Sequence, residues 1–170
     1  MKRSGRTLKA RLYGLKHLSS RIKRARFFRG HGVHSPYVYN IVRKVFMQCK
    51  LVAQRDDLYE ALKGCGVAER RCVQLQNLVE HCGYDEWKID TIEACDFLVC
   101  TLATNYAMLQ PYVDYAREHG ITLCIMDPYN NANRWEVCRS IVENHPSTTV
   151  DNRAYLLVFN NHLPKQVFIL

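Results

Sequence analysis

The sequence lacks the features that would assign it at once to several protein classes. No apolar run approaches the ~18 residues that a membrane-spanning helix needs, so we expect no transmembrane segment. Basic residues interrupt every apolar stretch near the N-terminus, which disfavours a signal peptide. The cysteines include no Cys-x-x-Cys pair, serine is scarce and Gly-x-Ser-x-Gly is absent. Cys and His are plentiful enough that a Cys–His pair stays open, although no nucleophile motif surrounds any Cys.

The spacing of the eight cysteines does not have the pattern of a disulfide framework. Most of them fall inside apolar segments, which is typical of reduced, buried thiols. We therefore expect a cytoplasmic protein without disulfides. The cysteines concerned are Cys72, Cys95, Cys100, Cys124 and Cys138.

Acidic residues are absent from the first 50 positions, which carry 14 Lys and Arg, whereas residues 51–170 carry 10 basic and 16 acidic residues. The sequence thus divides into a basic helical N-terminal segment, 1–50, and a domain, 51–170. From Thr7 the spacing predicts a basic amphipathic helix. We favour docking of this arm on its own acidic domain. The alternative is a weak contact of residues 1–29 with nucleic acid or an anionic surface.

The stretch from Arg26 to Phe46 (RFFRGHGVHSPYVYNIVRKVF) is the most specific part of the chain. Ser35 followed by Pro36 predicts a helix start with Ser as N-cap, and the apolar residues after it recur at helical spacing to about Lys50. His31 and His34 stand just before that start, without an acidic or Cys partner nearby in sequence. Hydrogen bonding in a loop is therefore a better interpretation of the two His than metal binding.

Within that stretch, GHGVHSPYVYNIV resembles the N-terminal signature of a family of bacterial class I S-adenosylmethionine-dependent methyltransferase-like proteins. The chain from Asp96 to its end is also similar to that family, whereas the middle is shorter. The resemblance implies a Rossmann-like sheet with a cofactor site at the carboxyl ends of its strands.

The pattern downstream predicts an α/β domain. We expect helices over residues 55–63, 104–119 and 131–144. We expect strands over residues 71–75, 96–102, 121–126, 148–150, 155–159 and 167–170. The predicted sheet is a truncated Rossmann-like one, parallel in the middle with antiparallel C-terminal strands.

The cofactor site that the resemblance implies needs a Gly-rich turn after the first strand and an acidic residue ending the second. After the predicted strand at 71–75 come Gln76 and Asn77, and no Gly occurs between Val67 and Cys82. About twenty residues separate this strand from the next, too few for two further strand–helix units. The sequence therefore predicts that the second and third strands, and with them the acidic residue, are missing.

Related O-methyltransferases hold a metal with an Asp ending the fourth strand and an Asp-Asn pair ending the fifth. The corresponding positions here are Thr101 and Asp127-Pro128, so one carboxylate of the set remains. We accordingly expect no metal and no catalytic residues. Gln76, Asn77, Thr101 and Asp127 are kept as candidate cofactor-binding positions at strand ends.

Together these patterns favour a methyltransferase-like protein that has lost S-adenosylmethionine binding and acts in binding or assembly. One alternative is an active S-adenosylmethionine-dependent methyltransferase with an atypical pocket. The other is a nucleic-acid-binding module that uses the basic arm. Since the missing strands would leave residues 71–75 at a sheet edge, cover by the chain's own helices or pairing into a homodimer is expected there.

Overall fold

The computed structural model describes residues 33–160 and 163–170. The predicted helix from Thr7 and the candidate His31 lie outside the described residues. Helices and strands alternate between Phe97 and Asp151, as the sequence predicts, whereas three described helices precede the first strand and three strands follow one another at the end. In order they are α1 (Pro36–Ile41, continued by a π-helical turn, Val42–Phe46), α2 (Asp57–Gly64), α3 (Glu69–Cys82), β1 (Trp87–Ile89), β2 (Phe97–Cys100), a 3-10 turn (Tyr106–Met108), α4 (Leu109–Glu118), β3 (Thr122–Met126), α5 (Ala132–Asn144), β4 (Thr149–Asp151), β5 (Tyr155–Val158) and β6 (Val167–Ile169).

The six strands form one mixed sheet in the order β1-β2-β3-β5-β4-β6. Strands β1, β2 and β3 are parallel neighbours. Strand β5 runs antiparallel to both β3 and β4, and β6 is parallel to β4. The prediction of an α/β fold is therefore confirmed, and the mixed sheet is compatible with a Rossmann-like architecture. The prediction for the C-terminal strands was wrong in part, because only β5 runs against the others.

Helices cover both faces of this sheet, which explains why its central strands are continuously apolar. Along β2 the side chains alternate between two cores. Phe97 and Val99 pack with the N-terminal helices α1, α2 and α3, whereas Leu98 and Cys100 pack with α4 and α5. The result is a three-layer arrangement, with the sheet between two layers of helices.

The start of α1 confirms the prediction from Ser35 and Pro36. The Ser35 hydroxyl accepts a hydrogen bond from the Val38 amide at 3.4 Å, and Pro36 is the first helical residue. The regular helix is shorter than predicted, because it changes to a π-helical turn at Val42 and ends at Met47. No described helix is both long enough and apolar enough to cross a membrane.

The strand predicted at residues 71–75 was wrong, since these residues lie inside α3. Every residue from Cys72 to Val79 is buried, because α3 lies between the sheet and the preceding helices. Its buried amide side chains make hydrogen bonds, such as the one from Gln74 Nε2 to the Phe46 carbonyl at 2.8 Å, although Gln76 Nε2 has no partner among the described residues. The first strand of the sheet is instead β1, which begins five residues after the end of α3.

All eight cysteines are free thiols. Those at positions 72, 100, 124 and 138 are buried, as their apolar surroundings in the sequence predict, and Cys95 is half-buried. Burial raises the pKa of Cys72 to about 11 and that of Cys138 to about 12. These thiols are therefore protonated and unreactive near neutral pH.

Candidate functional site

The carboxyl ends of β1, β2 and β3 meet at one edge of the sheet, where ligands bind in open α/β folds. Asp90, Thr101 and Asp127 each follow one of these strands directly. The register pairs Ile89 with Val99 and Cys100 with Ile125, so the three strand ends are neighbours. The sequence prediction thus placed Thr101 and Asp127 at strand ends correctly, and the structure adds Asp90.

Asp90 joins the end of β1 to the loop that follows β2. Its carboxylate accepts hydrogen bonds from the Thr101 amide, at 2.7 Å, and from the hydroxyls of Thr101 and Thr104. Its own amide donates to the Val99 carbonyl at 2.8 Å, and its carbonyl accepts from the Tyr112 hydroxyl at 2.6 Å. The side chain therefore uses three of about four acceptor sites inside the protein.

Arg134 lies beneath the same edge and is 2% exposed. Its Nε and Nη2 donate to the Met126 carbonyl at 3.2 and 3.0 Å. Nη2 also donates to the Thr101 carbonyl at 3.0 Å, and Nη1 to the Thr104 carbonyl at 3.0 Å. A planar, charged guanidinium thus bridges the end of β2 to the end of β3.

The position of Arg134 follows from local sequence. Asn131 caps α5 by accepting a hydrogen bond from the Arg134 amide at 2.9 Å, so the helix starts only a few residues after β3. Arg134 is consequently in the first turn and reaches back toward the strand it follows. The sequence pattern gives no signal for Arg134, because a basic residue in a helix with an apolar face is expected to be exposed.

Burial lowers the pKa of the Arg134 guanidinium, and the negative charges of nearby Asp127 and Asp90 oppose that shift. An arginine side chain remains protonated in proteins, because its ordinary pKa lies far above neutrality. The edge of the sheet therefore carries an internal cation close to two carboxylates.

Asp127 has a left-handed backbone, with φ +46°. Its amide donates to the Ala154 carbonyl at 2.7 Å, and its carbonyl accepts from the Asn130 amide at 3.0 Å. Asp90 is also left-handed, with φ +55°. Asp adopts this conformation more readily than most residues. Two of the three strand ends are thus turned sharply away from the sheet direction by aspartates.

Aromatic side chains line the neighbouring surface. Tyr129 stacks on Trp135 with ring centroids 4.4 Å apart, and its hydroxyl donates to the Asp151 carboxylate. Tyr106 is partly exposed and accepts a hydrogen bond from Asn133 Nδ2 at 3.3 Å. The tyrosines near the strand ends therefore stack on, and bond to, residues of their own domain.

Gln76 and Asn77 do not lie at a strand end, and this part of the site prediction was wrong. Both are buried in the middle of α3. Gln76 Oε1 accepts from the Tyr59 amide at 2.9 Å. Asn77 Oδ1 accepts from the Val52 amide at 2.9 Å, and its Nδ2 donates to the Lys50 carbonyl at 3.0 Å. The two amides fasten the chain before α2, and the start of α2 itself, to α3.

The positions that the resemblance relates to a metal centre include two that offer no free side-chain ligand, Thr101 and Pro128. The Thr101 hydroxyl donates to Asp90, and Pro128 supplies no side-chain ligand. Within residues 33–160 and 163–170, no three His, Cys, Asp or Glu side chains come together in a way that suits a metal ion. His34 is exposed, and Asn131 serves as the cap of α5.

The prediction that the second and third strands and their acidic residue are missing was counted from a strand at residues 71–75, which are helical. It did not anticipate that Asp90 follows the end of β1. The one signal for this site in the sequence is that Asp90 directly follows Ile89, the apolar last residue of the short strand Trp87–Ile89. That segment is too short to show alternation, and a lysine stands in its middle. The sequence therefore has no alternation of apolar and polar residues that would predict a strand at this place.

Comparison with known proteins gives no assignment for this chain. No family model matches the sequence, no curated protein matches it, and no solved structure matches the fold.

Proposed function

We propose that this chain is a methyltransferase-like protein that has lost S-adenosylmethionine binding and acts through binding or assembly. The observation that carries the proposal is the hydrogen bonding of Asp90 and Arg134. A cofactor at the carboxyl edge needs acceptors for its hydroxyls, but the Asp90 carboxylate already accepts from Thr101 and Thr104. Binding would have to break bonds that hold two strand ends together.

The connection after β1 supports the same proposal. It consists of the seven residues 90–96 between Ile89 and Phe97, and it contains neither a glycine nor a helix. Parallel strands are usually joined by a crossover of a dozen or more residues. The short connection suffices here because β1 and β2 have only three and four residues, about 10 and 13 Å at ~3.3 Å per residue. A glycine turn followed by a helix N-terminus, which favours close approach of an anionic cofactor, is therefore missing from this connection.

Calorimetric titration of the full chain with S-adenosylmethionine and with its demethylated product tests the proposal. We expect no saturable heat in the micromolar range and no ligand-induced rise in melting temperature. Saturable binding of either compound would overturn it in favour of the active methyltransferase. Asp90→Asn and Asp127→Asn would then identify which carboxylate takes part, with Asp114→Asn on the exposed side of α4 as the matched control.

A role in assembly would use an exposed edge of the sheet. Residues 71–75 are not that edge, because they are helical. The two edge strands are β1 and β6. Strand β1 is protected, because Lys88 pairs with Glu93 at 2.9 Å and Trp87 Nε1 donates to Asp57 at 2.9 Å. Short strands with charged side chains resist edge-to-edge pairing. This leaves β6 as the edge that favours a second copy of the chain.

Strand β6 offers apolar side chains and backbone groups on its outer side. Val167 is 47% exposed. The Thr149 amide donates to the Gln166 carbonyl and the Leu170 amide to the Asp151 carbonyl, so the ladder to β4 uses alternate residues. The backbone of Val167 and Ile169 therefore points away from β4. We propose two-fold pairing of two copies along β6.

Light scattering after size-exclusion chromatography, over protein concentrations from about 5 to 200 µM, tests the dimer. We expect Val167→Pro to abolish dimerisation, because it removes an outward N–H without disturbing the bonds to β4. Val167→Thr keeps that N–H and should remain dimeric. A wild-type chain that is monomeric at every concentration would contradict pairing along β6.

A further inference from the structure

One surface of the domain combines exposed apolar side chains with basic ones. It comprises the outer side of α1 and the loop after it, and we call it the basic–apolar face. The first acidic residue of the chain is Asp56, so no acidic residue occurs within this face. Its members are Tyr39, Arg43, Lys44, Met47, Lys50, Leu51 and Val52, all of them exposed.

The apolar exposure on this face is substantial. Val52 is 61% exposed, and Met47 and Leu51 are 38% and 37% exposed. Single exposed apolar residues are common, but three within six positions, beside three basic residues, form a patch. Tyr39, Arg43 and Met47 follow one another at intervals of four on the helix, and Arg43 Nη1 contacts Met47 Sδ at 3.8 Å.

The fold holds this face in place from behind. Val38, Ile41, Val42 and Val45 on the inner side of the helix are buried in the core. Further along the chain, Gln74 bonds the Phe46 carbonyl, and Asn77 bonds the Lys50 carbonyl and the amides of Val52 and Ala53. The backbone that carries Leu51 and Val52 is therefore fixed by buried amides, and their side chains are left outward.

We propose that the basic–apolar face binds the surface of an anionic lipid membrane. This deepens the proposed binding role, on which it rests, by naming the chemistry of the partner. Aliphatic side chains gain free energy by entering the boundary between headgroups and acyl chains, while Lys and Arg attract anionic headgroups. Single-stranded nucleic acid is instead held by aromatic platforms, and this face has one aromatic residue, Tyr39.

The segment that precedes this face in the sequence also combines basic with aliphatic residues. Residues 1–32 contain 11 Lys and Arg and no acidic residue. Their aliphatic residues recur near helical spacing, as in segments that lie on membrane surfaces. The basic–apolar face and the preceding segment are therefore adjacent in the sequence and alike in combining aliphatic with basic residues. The aliphatic residues concerned are Leu8, Leu12, Leu15, Leu18 and Ile22.

Flotation of the full chain with vesicles tests the proposal. The vesicles are phosphatidylcholine alone or phosphatidylcholine with 30% phosphatidylglycerol, in 50 and 150 mM salt. We expect binding to the anionic vesicles only, weaker at the higher salt concentration. The charge variant is Arg43→Gln with Lys44→Gln and Lys50→Gln. At about 1 kcal/mol for each basic residue near an anionic surface, it should bind about a hundredfold more weakly.

The apolar contribution has its own variant and a matched control. Met47→Ser with Val52→Ser should weaken binding about tenfold. Leu102→Ser with Met108→Ser should leave it unchanged, although these residues are exposed to a similar degree, 51% and 49%. Near-ultraviolet circular dichroism confirms that each variant is folded.

Several results would overturn the proposal. They are absence of binding to anionic vesicles, equal binding to neutral vesicles, and full affinity of both the charge variant and the apolar variant. Loss of vesicle binding in the presence of a DNA duplex, with no effect of the apolar variant, would assign the face to nucleic acid instead. A failure here leaves the cofactor titration unaffected, and cofactor binding would leave the vesicle result unaffected, so the two proposals fail separately.

Discussion

Replacing Arg134 by methionine should destabilise the domain strongly. The guanidinium makes four hydrogen bonds to three backbone carbonyls, those of Thr101, Thr104 and Met126. Methionine fills a similar volume but donates none of them. The carbonyls at the ends of β2 and β3 then lose their donors in a place that is closed to water.

The expected change in the free energy of unfolding is the difference between a cost and a gain. A buried acceptor left without a partner costs about 1–3 kcal/mol, so three of them cost about 3–9 kcal/mol. Removing the buried cation recovers several kcal/mol of desolvation free energy. We expect a net loss of about 3 kcal/mol in the free energy of unfolding. For a chain of this size that lowers the melting temperature by roughly 10 °C.

Urea unfolding followed by circular dichroism measures the change, with Arg139→Met as the matched control on the same helix. Arg139 is exposed and lies 3.8 Å from Glu143, so its loss should cost less than about 1 kcal/mol. Arg134→Lys keeps the charge but not the planar fork, and should fall between the two. An Arg134→Met protein as stable as wild type would refute the view that this guanidinium holds the strand ends together.

Three further predictions concern other buried polar groups. The pKa of His145 is lowered, chiefly by burial, so the unfolded chain takes up a proton that the folded one does not as pH falls below about 6.5. The free energy of unfolding should therefore drop between pH 7 and 5 more in wild type than in His145→Gln, as urea titrations at each pH will show. Iodoacetamide should modify the exposed Cys49 quickly in the native protein but spare Cys72 and Cys138 until urea is added, with peptide mass spectrometry as the readout. Asn77→Ala should cost about 2 kcal/mol and speed amide exchange in the loop that it fastens, because three hydrogen bonds are lost.

The prediction of secondary structure was accurate where the sequence pattern fits only one kind of element. The strands β2 and β3 are continuous apolar runs, and α5 has an apolar face and an Asn cap, so sequence and structure agree there. Helix α3 differs because it is buried against the sheet and also against the N-terminal helices. A short apolar window inside a helix of that kind cannot be distinguished from a strand by periodicity.

The candidate site was predictable only in outline. Strand ends can be located from apolar runs, which placed Thr101 and Asp127 correctly. The roles of Asp90 and Arg134 depend on tertiary contacts between residues 8 to 33 positions apart, such as Arg134 with Met126 and Arg134 with Thr101. Spacing in the sequence carries no information about which of these polar groups meet in the fold.

Amide spectra of the isotopically labelled full chain provide the most direct test of the central claim, that the carboxyl edge of the sheet takes up no cofactor. The amides of Asp90, Thr101 and Asp127 would report a ligand at this edge, because each is fixed by a hydrogen bond there. On titration with S-adenosylmethionine and its demethylated product to 1 mM, we predict no change in these three resonances. Saturable shifts confined to them would contradict the account and show that the edge still binds the cofactor.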